Sequence, residues 1–102
     1  MNSSNSKHYG RVADLGCVLC LYLGFGPSPC EIHHIRRFGG KRDNAPVIGL
    51  CPEHHRGNSG VHGLGAKGFE KQYGITQEFL LELTAELLNR HSAQSVGNQP
   101  DF

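Results

Sequence analysis

Apolar residues along this chain gather into short runs broken by glycine and proline, and one run near the C-terminal end is longer and periodic. There Phe79, Leu80, Leu83 and Leu87 fall at helical spacing and predict one apolar helix face. Thr76 is placed to cap that helix, and Ile75 before it can staple against Leu80. Glu78 and Glu82 lie toward its start and Arg90 and His91 at its end, as the helix dipole favours. Nothing in this helix suggests chemistry; it reads as structural. Toward the N-terminus, Val12 and Leu15 predict a short helix over Tyr9–Leu15 that stops at Gly16. An apolar stretch, Leu21–Phe25, runs into the Gly-Pro-Ser-Pro breaker at Gly26–Pro29. Glu31–Ile35 and Val47–Leu50 predict two short strands joined by a basic, turn-rich loop, Arg36–Ala45. Cys51 and Pro52 open a helical turn, Gly57–Gly68 with its five glycines predicts a loop, and Lys67–Tyr73 one or two helical turns. The expected class is a small α+β domain.

Such a chain has little to hold it together. It has 102 residues with no Trp, one Met and 14 glycines. Its ends, 1–6 and 91–102, are polar and predict frayed tails, which leaves 7–90 as the folded domain. Cores this small usually need a disulfide or a metal. No run is apolar enough to span a bilayer and the N-terminus lacks a signal pattern, so the expectation is a cytoplasmic protein. In a reducing compartment its four Cys and seven His point to metal ligation rather than disulfides.

Two ligand pairs have the right form. Cys17-x2-Cys20 and Cys51-x2-His54 lie 30 residues apart, and each two-residue spacer lets both side chains turn onto one ion. Together they supply three thiolates and one imidazole for a structural zinc. Such an ion contributes about 10–16 kcal/mol of apparent binding free energy in small peptides, far more than a core of this size provides. Cys30 stands alone after Pro29 and reads as a small packed residue beside the first strand.

Once His54 is assigned, His33, His34, His55 and His62 remain in the same half of the chain. Neighbours on a strand point to opposite faces, so His33 and His34 should do different jobs, or one of them should be packed inward. His55 projects about 100° from His54 on a helical turn and cannot easily serve the same ion. The charge is uneven in the same sense. Residues 33 to 71 carry seven Lys or Arg (Arg36, Arg37, Lys41, Arg42, Arg56, Lys67, Lys71) against three acids, although the whole chain is only +1. A polyanion site would need that coincidence of histidines and cations. Phosphodiester hydrolysis fits it: His34 as the base, His33 and His55 as metal ligands, Asn44 as an orienting amide, and Arg36, Arg37, Lys41 and Lys67 on phosphates. Each of these residues taken singly is an ordinary surface or turn residue; their joint placement in a zinc-held frame carries the reading. A non-catalytic zinc module binding nucleic acid or protein is the competing class, and it has no use for four extra histidines. A disulfide-bonded secreted domain fits neither the missing signal nor the ligand spacing.

The motifs Cys-x2-Cys, Glu31 to Ile35 (EIHHI), Gly39-Gly40 and Val47 to His55 (VIGLCPEHH) resemble those of zinc-knuckle HNH endonucleases in the His-Me finger, or ββα-metal, superfamily. Gly60 to Glu70 (GVHGLGAKGFE) with Tyr73-Gly74 is similar to the phage recombination-enhancement, RecA-dependent nuclease family. The resemblance covers about Leu15 to Leu88. It implies a ββα-metal core with a structural zinc and a C-terminal helix, His34 as general base, and His33 and His55 on a catalytic metal with His62 completing the shell. It also implies magnesium or manganese there, with zinc able to occupy the position, DNA as substrate and a RecA-type recombinase filament as partner. Many HNH sequences place the middle Asn five residues before the knuckle Cys, where this chain has Pro46; Asn44 takes the role here, with Asp43 in competition.

Overall fold

The structure, a computed structural model, describes residues 3–35 and 45–97, with side chains over 7–35 and 45–90. Two helices open the chain, α1 (Ser3–Leu15) and α2 (Val18–Leu23). A two-stranded antiparallel sheet follows, β1 (Glu31–His34) and β2 (Val47–Leu50), paired so that His33 lies opposite Ile48 and His34 opposite Val47. Three helices complete it: α3 (Pro52–Arg56), α4 (Val61–Tyr73) and α5 (Gln77–Gly97). The α+β expectation holds. Both strands fall where the apolar runs placed them, the first ending one residue earlier.

The helices differ more from expectation. The first starts at Ser3 rather than Tyr9, and the last runs on to Gly97, so helix covers 3–6 and 91–97 where the polar sequence predicted tails. The Gly-rich stretch Gly57–Gly68 is not a loop throughout, since α4 begins at Val61. It survives as helix because its glycines solve local problems. A Cβ on Gly60 would lie 2.5 Å from the Glu53 carbonyl oxygen, so only glycine lets α4 start this close to α3. Gly65 interrupts α4 with φ +78° and ψ +168°, a region essentially reserved for glycine.

β2 is buried along its whole length and forms the centre of the core. Val18, Leu19, Ile48, Leu50, Phe69 and Leu80 pack there with Cys17 and Cys20. Each fully buried Leu or Phe contributes about 1.5–3 kcal/mol. A smaller cluster of Val12, Val47 and Leu88 joins α1 and α5 under the sheet, with Tyr9 packed against it. In α5 Thr76 caps as expected, its Oγ1 accepting the Phe79 N–H at 3.0 Å, and Ile75 and Leu80 are both buried. Three of the four residues of the expected apolar face, Leu80, Leu83 and Leu87, pack on the core, and the face extends further round the helix than expected while Phe79 turns outward. Leu80, Thr84 and Leu88 are buried, whereas Phe79 is 39% exposed and meets the similarly exposed Tyr22 edge to face at 5.4 Å. No described helix is long and apolar enough to cross a membrane.

Candidate metal centres

Two groups of ligand-type side chains form among the described residues, Cys17, Cys20, Cys51 and His54 in one and His33, His55 and His62 in the other. They are built differently. In the first, Cys17 caps α2, and its Sγ accepts the Cys20 N–H at 3.3 Å, which bends both thiols of the pair toward one point. Cys51 holds the matching position before α3, with Pro52 at the start of the helix and His54 within its single turn. His54 Nδ1 lies 3.6 Å from Cys17 Sγ, 3.6 Å from Cys20 Sγ and 3.4 Å from Cys51 Sγ, and Cys20 Sγ lies 3.9 Å from Cys51 Sγ.

These separations can be tested against an ion. Zinc bonds of about 2.3 Å to sulfur and about 2.0–2.1 Å to nitrogen give tetrahedral edges of about 3.8 Å between sulfurs and about 3.6 Å between sulfur and nitrogen. The group fits. One imidazole nitrogen has a single proton or a single lone pair and cannot hydrogen-bond three sulfurs at once, so a shared cation explains the convergence better. All four cysteines of the chain are free, with no disulfide competing for them. Burial pushes the Cys17 thiol up to about 12 and His54 downward, so a thiolate here needs a cation beside it. Tyr73 closes the outer side: its ring lies 5.9 Å from that of His54 and its hydroxyl donates to the Ser59 carbonyl oxygen at 2.6 Å. Cys30 joins neither group; it is half-buried, with Sγ 3.7 Å from the Ala13 carbonyl oxygen.

The second group draws one histidine each from β1, α3 and α4. Ring centres are 5.1 Å apart for His33 and His55, 5.3 Å for His33 and His62, and 4.8 Å for His55 and His62. The candidate ligand atoms all lie within 4.8 Å of one another. His33 is buried, His55 half-buried and His62 exposed, so the group forms a wall rather than an interior. The wall belongs to an open groove of about 1010 Å³ that His34 and Lys67 also line. Burial lowers the pKa of His33, with the neighbouring histidines adding to the effect, which keeps its ring neutral and able to ligate. Three imidazoles converging on solvent can hold one divalent ion with positions to spare.

Residues 3–89 match the family described as recombination enhancement, RecA-dependent nuclease. The chain belongs to that family. Comparison with curated proteins and with solved structures found no match. Membership in a RecA-dependent nuclease family makes the groove, rather than the buried cluster, the place to look for chemistry, because a substrate strand can reach only the former.

Of the residues this RecA-dependent nuclease family member was expected to use there, His33, His55 and His62 come together. His34 is not part of their group; it is among the residues lining the same groove, and its ring lies edge on to Tyr9 at 5.8 Å. The opposite pointing of the two strand histidines follows from the pleat. Asn44, Arg36, Arg37 and Lys41 lie outside the described residues, as do Asp43 and Arg42. Lys67 stands exposed at the groove.

Three side chains at this site carry no assignment from the sequence. Glu31 Oε1 lies 2.8 Å from His55 Nδ1, and Arg56 binds both oxygens of the same carboxylate. Arg56 and His55 hold the Glu31 carboxyl well below its usual range, at about 2. Gln77, the first residue of α5, places Oε1 2.8 Å from His33 Nε2. Glu31 was legible in principle, since it precedes His33 by two on a strand and so shares its side. Gln77 had no local signal, being 44 residues from its partner.

Proposed function

We propose that this chain is a metal-dependent DNA endonuclease of the HNH type, hydrolysing phosphodiester bonds in the groove walled by His33, His55 and His62. The observation that carries the reading is the convergence of those three imidazoles on the wall of an open groove that His34 also lines. The order of β1, β2 and α3, with one histidine pair on β1 and another on α3, supports the ββα reading. The cluster of three cysteines and His54 would hold a structural zinc that pins α2 to the start of α3.

In this scheme His34 takes the proton from the attacking water, as a neutral imidazole does near pH 7. His33, His55 and His62 hold the divalent ion. When bound, that ion offsets negative charge gathering on the phosphate and eases departure of the leaving oxygen. Asn44 orients the base, and Arg36, Arg37, Lys41 and Lys67 grip flanking phosphates without reading sequence. The family name supports DNA as substrate and a RecA-type filament as the partner that directs cutting. Neutral imidazoles suit zinc and other first-row transition ions better than magnesium, which prefers carboxylates and water. Manganese should therefore outperform magnesium.

The test is plasmid nicking with magnesium, manganese or zinc, with and without a recombinase filament, in the parent and in His34→Ala. Metal-dependent cutting that His34→Ala loses while the tight zinc stays bound is the expected result. A parent that cuts under none of these conditions leaves the non-catalytic zinc module as the better account; a His34→Ala that cuts like the parent removes His34 as the base.

A further inference from the structure

The open histidine group is braced from behind, and the brace has a definite chemistry. His55 Nδ1 lies 2.8 Å from Glu31 Oε1. Arg56 reaches the same carboxylate from Nε, at 3.0 Å to Oε1 and 3.1 Å to Oε2, and from Nη2 at 2.8 Å to Oε2. Glu31 opens β1 two residues before His33, and Arg56 follows His55 directly on α3. The clamp therefore spans the two elements that carry two of the three histidines, and it fixes their spacing.

A carboxylate only accepts hydrogen bonds, so the ring nitrogen facing it must carry the proton. In a neutral imidazole the lone pair then sits on the other nitrogen, Nε2. Glu31 is not one of the side chains that converge there, but freed of its present partners it could swing toward the ion and become a ligand itself. Arg56 engages both of its oxygens, a geometry a lysine could not provide. We infer that Glu31 is a positioning residue that sets the tautomer of His55 and presents its Nε2 to the ion, while Arg56 keeps that carboxylate out of the ion's own shell. The inference rests on the proposed ion site at His33, His55 and His62, and it predicts a ligand set of neutral nitrogens that leaves the ion its full charge.

The test uses the full chain with its tight zinc in place. Long-range proton–nitrogen NMR of the histidine rings, recorded before any ion is added to the open site, reports the His55 tautomer directly. The parent should show Nδ1–H at His55. Glu31→Leu should lose that preference and bind cobalt(II) about 10–100-fold more weakly at the open site. Glu31→Gln keeps an acceptor oxygen and should restore both the tautomer and most of the affinity. Arg56→Met should keep the tautomer but change the cobalt(II) visible spectrum as the released carboxylate enters the shell. Glu31 is 32% and Arg56 66% exposed, so these variants should fold. An unchanged tautomer and affinity in Glu31→Leu, or a Glu31→Gln as impaired as Glu31→Leu, overturns the positioning role. An Arg56→Met spectrum identical to the parent's overturns the second half. A parent that takes up no cobalt(II) in the groove sinks the ion-site reading itself, whereas the tautomer measurement tells separately whether Glu31 sets the ring.

Discussion

The two ligand groups sit within one small domain and share the helix α3, yet they differ in every physical respect that matters. The cysteine-rich cluster is enclosed: Cys17, Cys20 and His54 are buried, its atoms sit at tetrahedral spacing, and Tyr73 covers it. The three-histidine group faces a groove, grades from buried His33 to exposed His62, and is braced by outer hydrogen bonds to Glu31 and Gln77. A closed set of four ligands can only hold the chain together; an open set of three leaves room for substrate. His54 and His55, adjacent in sequence, are divided between the two by the turn of one short helix.

The largest effect should come from the closed cluster. Cys51→Ser, or removal of zinc from the parent by a strong chelator, should abolish the cooperative thermal transition, since the ion's apparent binding free energy of about 10–16 kcal/mol exceeds the stability of a domain this size. Circular dichroism melts with zinc content measured on the same samples decide it. A Cys51→Ser that melts like the parent would erase the distinction between the groups.

Next come the groove histidines, where folding and activity should separate. His55→Ala should keep one tight zinc and a melting temperature near the parent's but lose metal-dependent nicking. His34→Ala, removing the proposed base but no ligand, should still take up the second ion while its nicking rate falls about 10²–10⁴-fold. If His55→Ala lost the tight zinc as well, the two groups would be one coupled site.

Gly65 tests how the open group is shaped. Its φ and ψ are accessible to glycine, and a Cβ there would meet open space, so Gly65→Ala isolates conformational strain from crowding. The substitution should destabilise by about 1–3 kcal/mol or force α4 to straighten. Straightening would move Lys67 relative to His62 and weaken nicking without touching the tight zinc. Equal stability and equal activity would show that the break in α4 is incidental to the groove.

How much of this contrast could be read from the sequence depends on how local each signal is. Cys17-x2-Cys20 and Cys51-x2-His54 announce a shared ion because the spacing alone brings each pair together, and the structure unites all four. The strands were legible from short apolar runs between breakers. The outward turn of Phe79 was not, because it sits at the correct spacing on α5 but packs on Tyr22 of α2 instead of in the core. The start of α4 was hidden by glycines whose role is close approach to α3. At the open site, His33, His55 and His62 were recoverable as histidines without other duties, whereas Gln77 depends on where α5 docks, a purely tertiary fact. The roles of Asn44, Arg36, Arg37 and Lys41 rest on the sequence alone.

The smallest expected effect is the sharpest test of separateness. Tyr73 donates its hydroxyl to the Ser59 carbonyl oxygen at 2.6 Å, while its ring packs on Phe69 and faces His54. Tyr73→Phe keeps the ring and removes one hydrogen bond, leaving the Ser59 oxygen to find water at a half-buried position. The loss should be about 1 kcal/mol, or a fall of about 4–8 °C in melting temperature for a domain of this size. Ser59 also donates to Glu53 through its backbone N–H and its hydroxyl, so the loosening stays on the loop after α3 and on the closed cluster's outer side. Zinc release to a colorimetric chelator should therefore quicken in Tyr73→Phe, while cobalt(II) affinity in the groove stays at the parent's value. A matching drop in groove affinity would mean that α3 transmits strain between its adjacent histidines, and the two centres would have to be treated as a single mechanical unit.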